Sequence, residues 1–219
     1  MFKNITLALA ITFVSFTSYA ANFVEGMHYV QVTEKPATKQ PKLTEFFSFY
    51  CHNCYNMEAN YIADIKANLN KNIQFDTKHV DYMNSEIGTE VMRSLAVINH
   101  LKLGSTMNQA MFAAIQGEGA QHGHNHGAPG DDHTPKINNR DEIKAVFKKY
   151  GIDTEQYDAI ADSPETDAKL ALWRSQQREF YIDGVPSFVI NDKYKVNMDS
   201  IRTLGQLIDL INFLSLKTG

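Results

Sequence analysis

Cysteine is nearly absent from this chain: among 219 residues there are two, Cys51 and Cys54. So small a number excludes a fold that depends on disulfides. An excess of positive charge is missing too. Lys and Arg number 21 against 25 Asp and Glu, a net charge of −4, and no basic patch argues for nucleic acid as a partner. Long apolar runs are lacking. The sustained stretch at residues 5–16 falls short of the ~20 residues a bilayer-spanning helix needs, and no later segment approaches it. No internal repeat is present, which excludes a solenoid.

What is there begins with an export signal. Lys3 supplies a short positive start, the apolar stretch follows, and Ser18-Tyr19-Ala20 has the small-x-small form of a signal peptidase site. Residues 1–20 are read as a signal peptide cleaved after Ala20, so the mature chain starts at Ala21 in an oxidising compartment, expected to be the periplasm. Loss of Lys3 moves the net charge from −4 to −5. The remaining length is enough to bury a core, as one domain or one domain with an insertion.

The order of elements follows from periodicity. Residues 28–32 alternate like a short strand, and Pro36 and Pro41 bracket a polar loop. Residues 43–49 read as a buried strand with one charge, Glu45, which shares a face with Leu43 and Phe47. A carboxylate in that setting is either paired or has a raised pKa. Helical spacing runs from 51 to 69, with Met57, Tyr61, Ile65 and Leu69 a turn apart, and residues 73–80 form another strand. Helices are expected at 85–103, stopping at Gly104, at 107–116, stopping at Gly117, and at 141–150, stopping at Gly151. Asn139 with Glu142 forms a capping signal, and Ser163-Pro164 opens a long helix carrying Leu172, Trp173 and Phe180. Strands at 187–190 and 194–196 flank an Asn191-Asp192 turn, and a last helix buries Ile201, Leu204, Leu207, Ile208, Ile211 and Leu214. A strand, a CxxC at the next helix start and a later hairpin define an α/β, thioredoxin-like fold with an inserted helical domain. Its parts are 21–83 and 163–219, with the insertion at 84–162.

The two cysteines sit three residues apart, just after the apolar strand. A bridge between them closes so small a loop that it removes little unfolded-state entropy, which makes it a poor staple. The better use is chemical, as a disulfide that opens and re-forms. At a helix start, free N–H groups and the positive end of the dipole favour a thiolate on Cys51, and a protonated His52 adds to this. Cys54, one turn inside, is placed to attack a mixed disulfide at Cys51. A zinc site would need distant histidines to complete its shell. Gly184-Val185-Pro186-Ser187 stands before a strand, where a proline is tolerated. A cis Val185–Pro186 bond would bring this loop to the sulfurs and leave the Val185 backbone free to pair with a substrate strand.

The stretch from Glu45 to Tyr55 resembles the active-site segment of the DsbA family, exported thiol:disulfide oxidants of Gram-negative bacteria, and Gly184-Val185-Pro186 with Phe188-Val189 resembles that family's cis-proline loop. The resemblance extends over the mature chain. It implies a thioredoxin fold with a helical insert, oxidation of newly exported proteins bearing free thiols, and re-oxidation by a quinone-linked inner-membrane protein of the DsbB type. It implies catalysis by Cys51 and Cys54 with no cofactor beyond their redox-active disulfide. Tuning falls to His52, Asn53 and Glu45, and substrate binding to Val185 and Pro186.

Three departures stand out. The family's Cys-Pro-His-Cys is replaced by Cys51-His52-Asn53-Cys54, and Asn53 brings no positive charge, so a weaker but still net-oxidising couple is expected. The family pairs the glutamate matching Glu45 with a lysine on the following strand. Lys78 is the candidate, but aligned on His79-Val80 it lies one residue out of register, which on a strand means the opposite face, so either the alignment slips there or Glu45 lacks its partner. Finally, an extended loop at about 120–135 carries His122, His124, His126 and His133, four of the chain's eight histidines. Alternating His and Gly fix no geometry, so this is read as a solvated loop with weak metal affinity rather than a metal site. His79 and His100 are read as packing or surface residues, and Trp173 as core or inter-domain packing. The rival readings are a disulfide isomerase or reductase, a metal-binding protein using the His-rich loop, and a peptide-binding chaperone. No added dimerisation segment is visible, so a monomer is expected.

Overall fold

The computed structural model describes residues 23–120 and 135–217. The export signal and His122, His124, His126 and His133 lie outside the described residues. Five strands form one sheet: β1 (Tyr29–Gln31), β2 (Lys42–Phe47), β3 (Gln74–His79), β4 (Ser187–Ile190) and β5 (Tyr194–Val196), in the spatial order β1-β5-β4-β2-β3. β2 and β3 run parallel, while β4 is antiparallel to both β2 and β5. Parallel neighbours need a crossover. Here it is made by α1 (His52–Asn60) and α2 (Ile62–Asn68). Among the described residues, four helices lie between β3 and the long α7 (Pro164–Glu179): α3 (Glu86–Leu101), α4 (Gly104–Gln116), α5 (Arg140–Lys148) and α6 (Thr154–Ala161). α8 (Leu204–Ser215) closes the chain. This is the thioredoxin-like α/β fold with a helical insert.

Strand alternation separates the packing. On one face of the sheet Leu43, Phe188 and Ile190 meet Ile62, Ile65, Leu210, Ile211 and Leu214 from α2 and α8. On the other, Phe46 and Val189 pack with Val32, Val80, Phe180 and Ile182. A third core joins Phe47, Phe49, Cys54 and Tyr55 to the insert through Leu95, Met111, Phe112 and Ile115, and includes Trp173. Fully burying one such side chain is worth roughly 1.5–3 kcal/mol. The insert is therefore bonded to the strand end and the cysteine helix by a shared apolar core.

Several expected boundaries move. The single helix at 51–69 is two, parted at Tyr61, where the backbone opens to φ −131°, ψ −32°. The cause is packing in two directions: α1 buries Cys54 and Tyr55 against the insert, while α2 buries Ile62 and Ile65 against the sheet. Tyr61, at the bend, is left 40% exposed rather than inward-facing. Gly104 does not end α3 but opens α4; the left-handed residue that ends α3 is Lys102, φ 55°. Leu172 points outward, 51% exposed, because Leu170 and Trp173 take the inward face of α7. α6 has no counterpart in the sequence reading; its short apolar pattern is overshadowed by acidic and polar residues. The caps follow expectation, with Asn139 accepting from Glu142 N–H and Ser163 from Thr166 N–H ahead of Pro164.

The β4–β5 turn locks the start of β2, at the end of the sheet away from the cysteines, to α8. Asn191 and Asp192 both have positive φ, 56° and 52°, which Asn and Asp tolerate better than other side chains. Buried Asn191 accepts from Lys42 N–H at 3.0 Å and donates to the Leu214 and Ser215 carbonyls at 3.3 and 3.2 Å, satisfying the end of α8. Asn191→Ala is expected to lower unfolding free energy by about 3 kcal/mol, from three lost hydrogen bonds and a strained backbone. Urea denaturation of both proteins checks this.

Candidate active site

β2, an internal strand, ends at Phe47, and a turn leads the chain into α1. Cys51 N–H donates to Ser48 O at 2.9 Å, and Tyr50 N–H to Ser48 Oγ at 3.2 Å. Phe49 N–H donates to His79 Nε2 at 2.9 Å. Phe49 is fully buried against Phe112, with ring centroids 4.9 Å apart. Cys51 emerges from this turn as the N-cap of α1, in extended conformation, with its sulfur accepting from Cys54 N–H at 3.2 Å. A sulfur stands where an N-cap oxygen usually does.

The two sulfurs have different settings. Cys51 is half-buried; Cys54 is buried at 1% exposure. The Cys54 thiol donates to the Cys51 sulfur, and the N–H groups of Cys54 and Asn53 point at it as well, so Cys51 lies below the ordinary cysteine range although burial works against this. Cys54 is held well above that range, chiefly by burial, then by its bond to Cys51 and the Cys51 charge. The geometry defines an outer sulfur ready to be a thiolate and an inner one that keeps its proton.

The other sequence-predicted residues fall around this pair. The Val185–Pro186 bond is cis, and the Cys51 thiol donates to Val185 O at 3.4 Å, 134 residues away in sequence. Asn53 is exposed and lines a groove with Gly184, Val185, Pro186, Asn197 and Met198. Met198 also borders an adjoining apolar groove with Met57, Tyr61, Ile201, Leu204 and Leu207. His52 takes the first position of α1. Beyond the sulfurs, Tyr82 and Met83 are each 48% exposed on the loop after β3. Burial first, then the charges of Asp183, Cys54 and Cys51, raise the Tyr82 phenol.

Glu45 lies beneath, 2% exposed, with no hydrogen bond or ion pair to it among the described residues. Burial, then the charge of Glu58, push its carboxyl well above the ordinary range, with Lys66 pulling the other way. The pairing register puts Thr77 opposite Glu45 and Lys78 opposite Phe46, so Lys78 is on the far face. There it is bonded to Gln176 Oε1, 3.8 Å from Asp76 and over the Phe46 ring. The lysine partner that the resemblance implies is absent from Glu45, and a threonine holds the corresponding place. Glu58, also buried, bonds to Ser105 Oγ and, at 3.3 Å, to Asn108 Nδ2 of α4.

Two contacts at the site were not legible in the sequence. His79 is a buried structural acceptor for the turn: Nδ1 donates to Val80 O at 2.8 Å, which fixes the tautomer that lets Nε2 accept from Phe49. Gln116, at the end of α4, donates to Phe49 O at 2.6 Å and Cys51 O at 3.1 Å. The only signal for Gln116 was its place before Gly117, which points to a helix end and not to the cysteines. His100 is exposed on the last turn of α3, as expected of a surface residue.

A thioredoxin-fold sheet, a CxxC whose first sulfur caps a helix, and a cis-proline loop against that sulfur define the class: a thiol:disulfide oxidoreductase. A family model described as a DSBA-like thioredoxin domain matches residues 42–209. The chain belongs to that family. The thiol:disulfide interchange protein DsbA of Yersinia pestis is 30% identical over 220 residues, covering 97% of this chain and 98% of that protein. DsbA of Escherichia coli K12 is 28% identical, covering 98% and 99%. Among solved structures, Proteus mirabilis DsbA, described as a disulfide oxidoreductase, superposes with a TM-score of 0.71 at 28% identity over 90% of this chain and 98% of that one. A cysteine-to-serine form of the same protein with a non-covalently bound peptide, PWATCDS, gives 0.73 at 27% identity over 90% and 100%.

Burial sets the pH dependence of the His79 contact. Desolvation pushes the imidazole down to about 4, against contributions from Val80 O and Asp81 that favour the charged form. The unfolded histidine gains its proton near 6.5 while the folded one stays neutral. His79 therefore contributes stability in full above that pH and loses it as pH falls from 6.5 to about 4. The loss is about 3 kcal/mol. His79→Asn is expected to remove this segment of the stability–pH curve; denaturant unfolding at pH 7.5, 5.5 and 4 measures it.

Proposed function

We propose that this protein is a periplasmic oxidase that passes the Cys51–Cys54 disulfide to newly exported proteins bearing free thiols. The observation that carries the direction is the opposed setting of the two sulfurs, Cys51 held below the ordinary cysteine range and Cys54 above it. A substrate thiolate attacks Cys51 Sγ. The Cys51–Cys54 bond breaks, and Cys54 leaves with the electron pair and takes up a proton, as its buried setting favours. A second substrate thiolate then attacks the substrate sulfur of the mixed disulfide and expels Cys51 as a thiolate, which the Cys54 N–H stabilises. The substrate has lost two electrons and the protein has gained them, with no cofactor beyond the disulfide itself.

Val185 and Pro186 are the substrate-binding residues in this reading. The carbonyl of Val185 at 3.4 Å from Cys51 Sγ offers an acceptor for an extended peptide at the reacting sulfur. The adjoining groove of Met57, Tyr61, Ile201 and Leu204 takes apolar side chains of the same segment. That the Proteus mirabilis relative binds a peptide, PWATCDS, supports a peptide as the class of ligand. Glu45 serves as the proton donor beneath Cys54, while His52 and Asn53 tune the thiolate. The insert at 84–162 seals the inner sulfur from water. Export by cleavage after Ala20, a monomeric state, and re-oxidation by a quinone-linked membrane protein of the DsbB type complete the reading.

The reading is tested on the mature chain. The Cys51 thiolate, followed by its ultraviolet absorbance, is expected to titrate below the ordinary value of about 8.5. Oxidised protein should convert a reduced two-thiol peptide to its disulfide stoichiometrically, and Cys51→Ala should abolish this. An unshifted thiolate titration, or equilibrium with glutathione favouring a stable protein disulfide, would show a reductase instead.

Acid titration separates the role of Glu45. Its carboxyl stays protonated in the fold above the pH at which the unfolded group ionises, so the fold is relatively more stable below about 4.5 and loses that advantage as pH rises through the raised folded value. Glu45→Gln is expected to stabilise the protein more at pH 8 than at pH 4, and to slow release of reduced enzyme in stopped-flow oxidation of the peptide.

A further inference from the structure

We propose that Gln116 is a positioning residue for Cys51: its side-chain amide holds the Phe49 and Cys51 carbonyls and so fixes the turn that aims the sulfur at Cys54 N–H and Val185 O. The inference rests on the reading of Cys51 as the reacting thiol and adds what sets its geometry. Both hydrogens of the Gln116 amide are used, at 2.6 Å to Phe49 O and 3.1 Å to Cys51 O. The Phe49 N–H is taken by His79 Nε2 at 2.9 Å. Phe49 is thus pinned at both of its backbone polar groups by side chains from two other elements, β3 and α4. The Cys51 carbonyl also accepts Tyr55 N–H at 3.1 Å, the first intrahelical bond of α1. A rotation of the peptide that follows Cys51 would have to break both the Gln116 and the Tyr55 bonds.

Gln116 is itself held firmly. Its neighbours Phe112 and Ile115 are each 1% exposed in the core that contains Phe49, Cys54 and Tyr55. Gly117 N–H closes α4 on Ala113 O at 2.8 Å, and Lys136 N–H pairs with Ile115 O at 3.0 Å across the start of the next described segment. The amide therefore reports the position of the helical insert to the cysteine turn. A plain structural role, satisfying two carbonyls, would cost stability on removal but leave the chemistry of the sulfur alone.

The test compares Gln116→Met, which keeps the side-chain length and loses both donors, with Gln109→Met, the same change on the exposed side of α4. The expected result for Gln116→Met is a higher Cys51 thiolate pKa and an equilibrium constant with glutathione shifted by roughly two- to tenfold toward a more stable protein disulfide, the scale of one of the two hydrogen bonds lost. Gln109→Met should leave both unchanged. Should Gln116→Met not fold, Gln116→Asn, which withdraws the donor by one methylene, carries the same expectation. An unchanged pKa and glutathione equilibrium in the folded variant, with only a lower melting temperature, overturns the positioning role. Loss of exchange in Cys51→Ala would still stand in that case, so a failure here is distinct from a failure of the oxidase reading.

Discussion

The structure depends on one contact, the Cys54 N–H donated to the Cys51 sulfur at 3.2 Å. It caps α1 and it stabilises the reacting thiolate, so the atom that begins the helix is the atom that does the chemistry. Charge on that sulfur strengthens both roles, because an anion at a helix start gains from the free N–H groups and the dipole. When the sulfur is bound in a disulfide the charge is gone and the cap is weaker. The reduced protein therefore gains what the oxidised one lacks, and stabilising the reduced form is what makes a disulfide a good oxidant. In the proposed oxidase the groups that would supply this stabilisation are the Cys54 thiol and the N–H groups of Cys54 and Asn53.

The surrounding elements hold the contact at the end of β2. β2 ends beneath the turn, and Phe47 and Phe49 fasten it to the insert through Phe112. The bend at Tyr61 lets α1 pack on the insert while α2 packs on the sheet, so the cysteine helix belongs to two cores at once. The β4–β5 hairpin brings Val185 to the sulfur from the far end of the chain. Removing any of these would leave a helix start with two cysteines, but without a defined direction for the outer one.

Much of this was legible from local signals. The CxxC at a helix start, the proline before a strand, the Asn191-Asp192 turn and the Asn139 and Ser163 caps are each written in a few consecutive residues, and each is found in place. What was not legible depends on partners far along the chain. The break at Tyr61 arises because the two halves of one periodic segment face different cores, which periodicity alone does not reveal. The left-handed end of α3 fell on Lys102 rather than Gly104 because the next helix starts at once, leaving no loop for the glycine to open. The roles of His79 and Gln116 rest on contacts spanning 30 and 65 or more residues, with no motif to mark them. Lys78 is the middle case: the sequence raised a one-residue register offset but left the pairing with Glu45 open, and the strand pairing puts it on the far face.

That offset shapes the proposed chemistry. A lysine beside Glu45 would favour the carboxylate and keep a negative charge beneath Cys54. With Thr77 in that place and Lys78 held by Gln176 and Asp76 on the other side, burial and Glu58 favour the protonated acid instead. A neutral carboxyl does two things for a departing Cys54 sulfur. It does not repel the charge forming there, and it holds a proton that the sulfur, in its apolar setting, is disposed to accept. In the proposed exchange the two sulfurs are then separated by the burial of the inner one rather than by an ion pair beneath them, and the backbone turn held through Phe49 by His79 and Gln116 would set the geometry of Cys51.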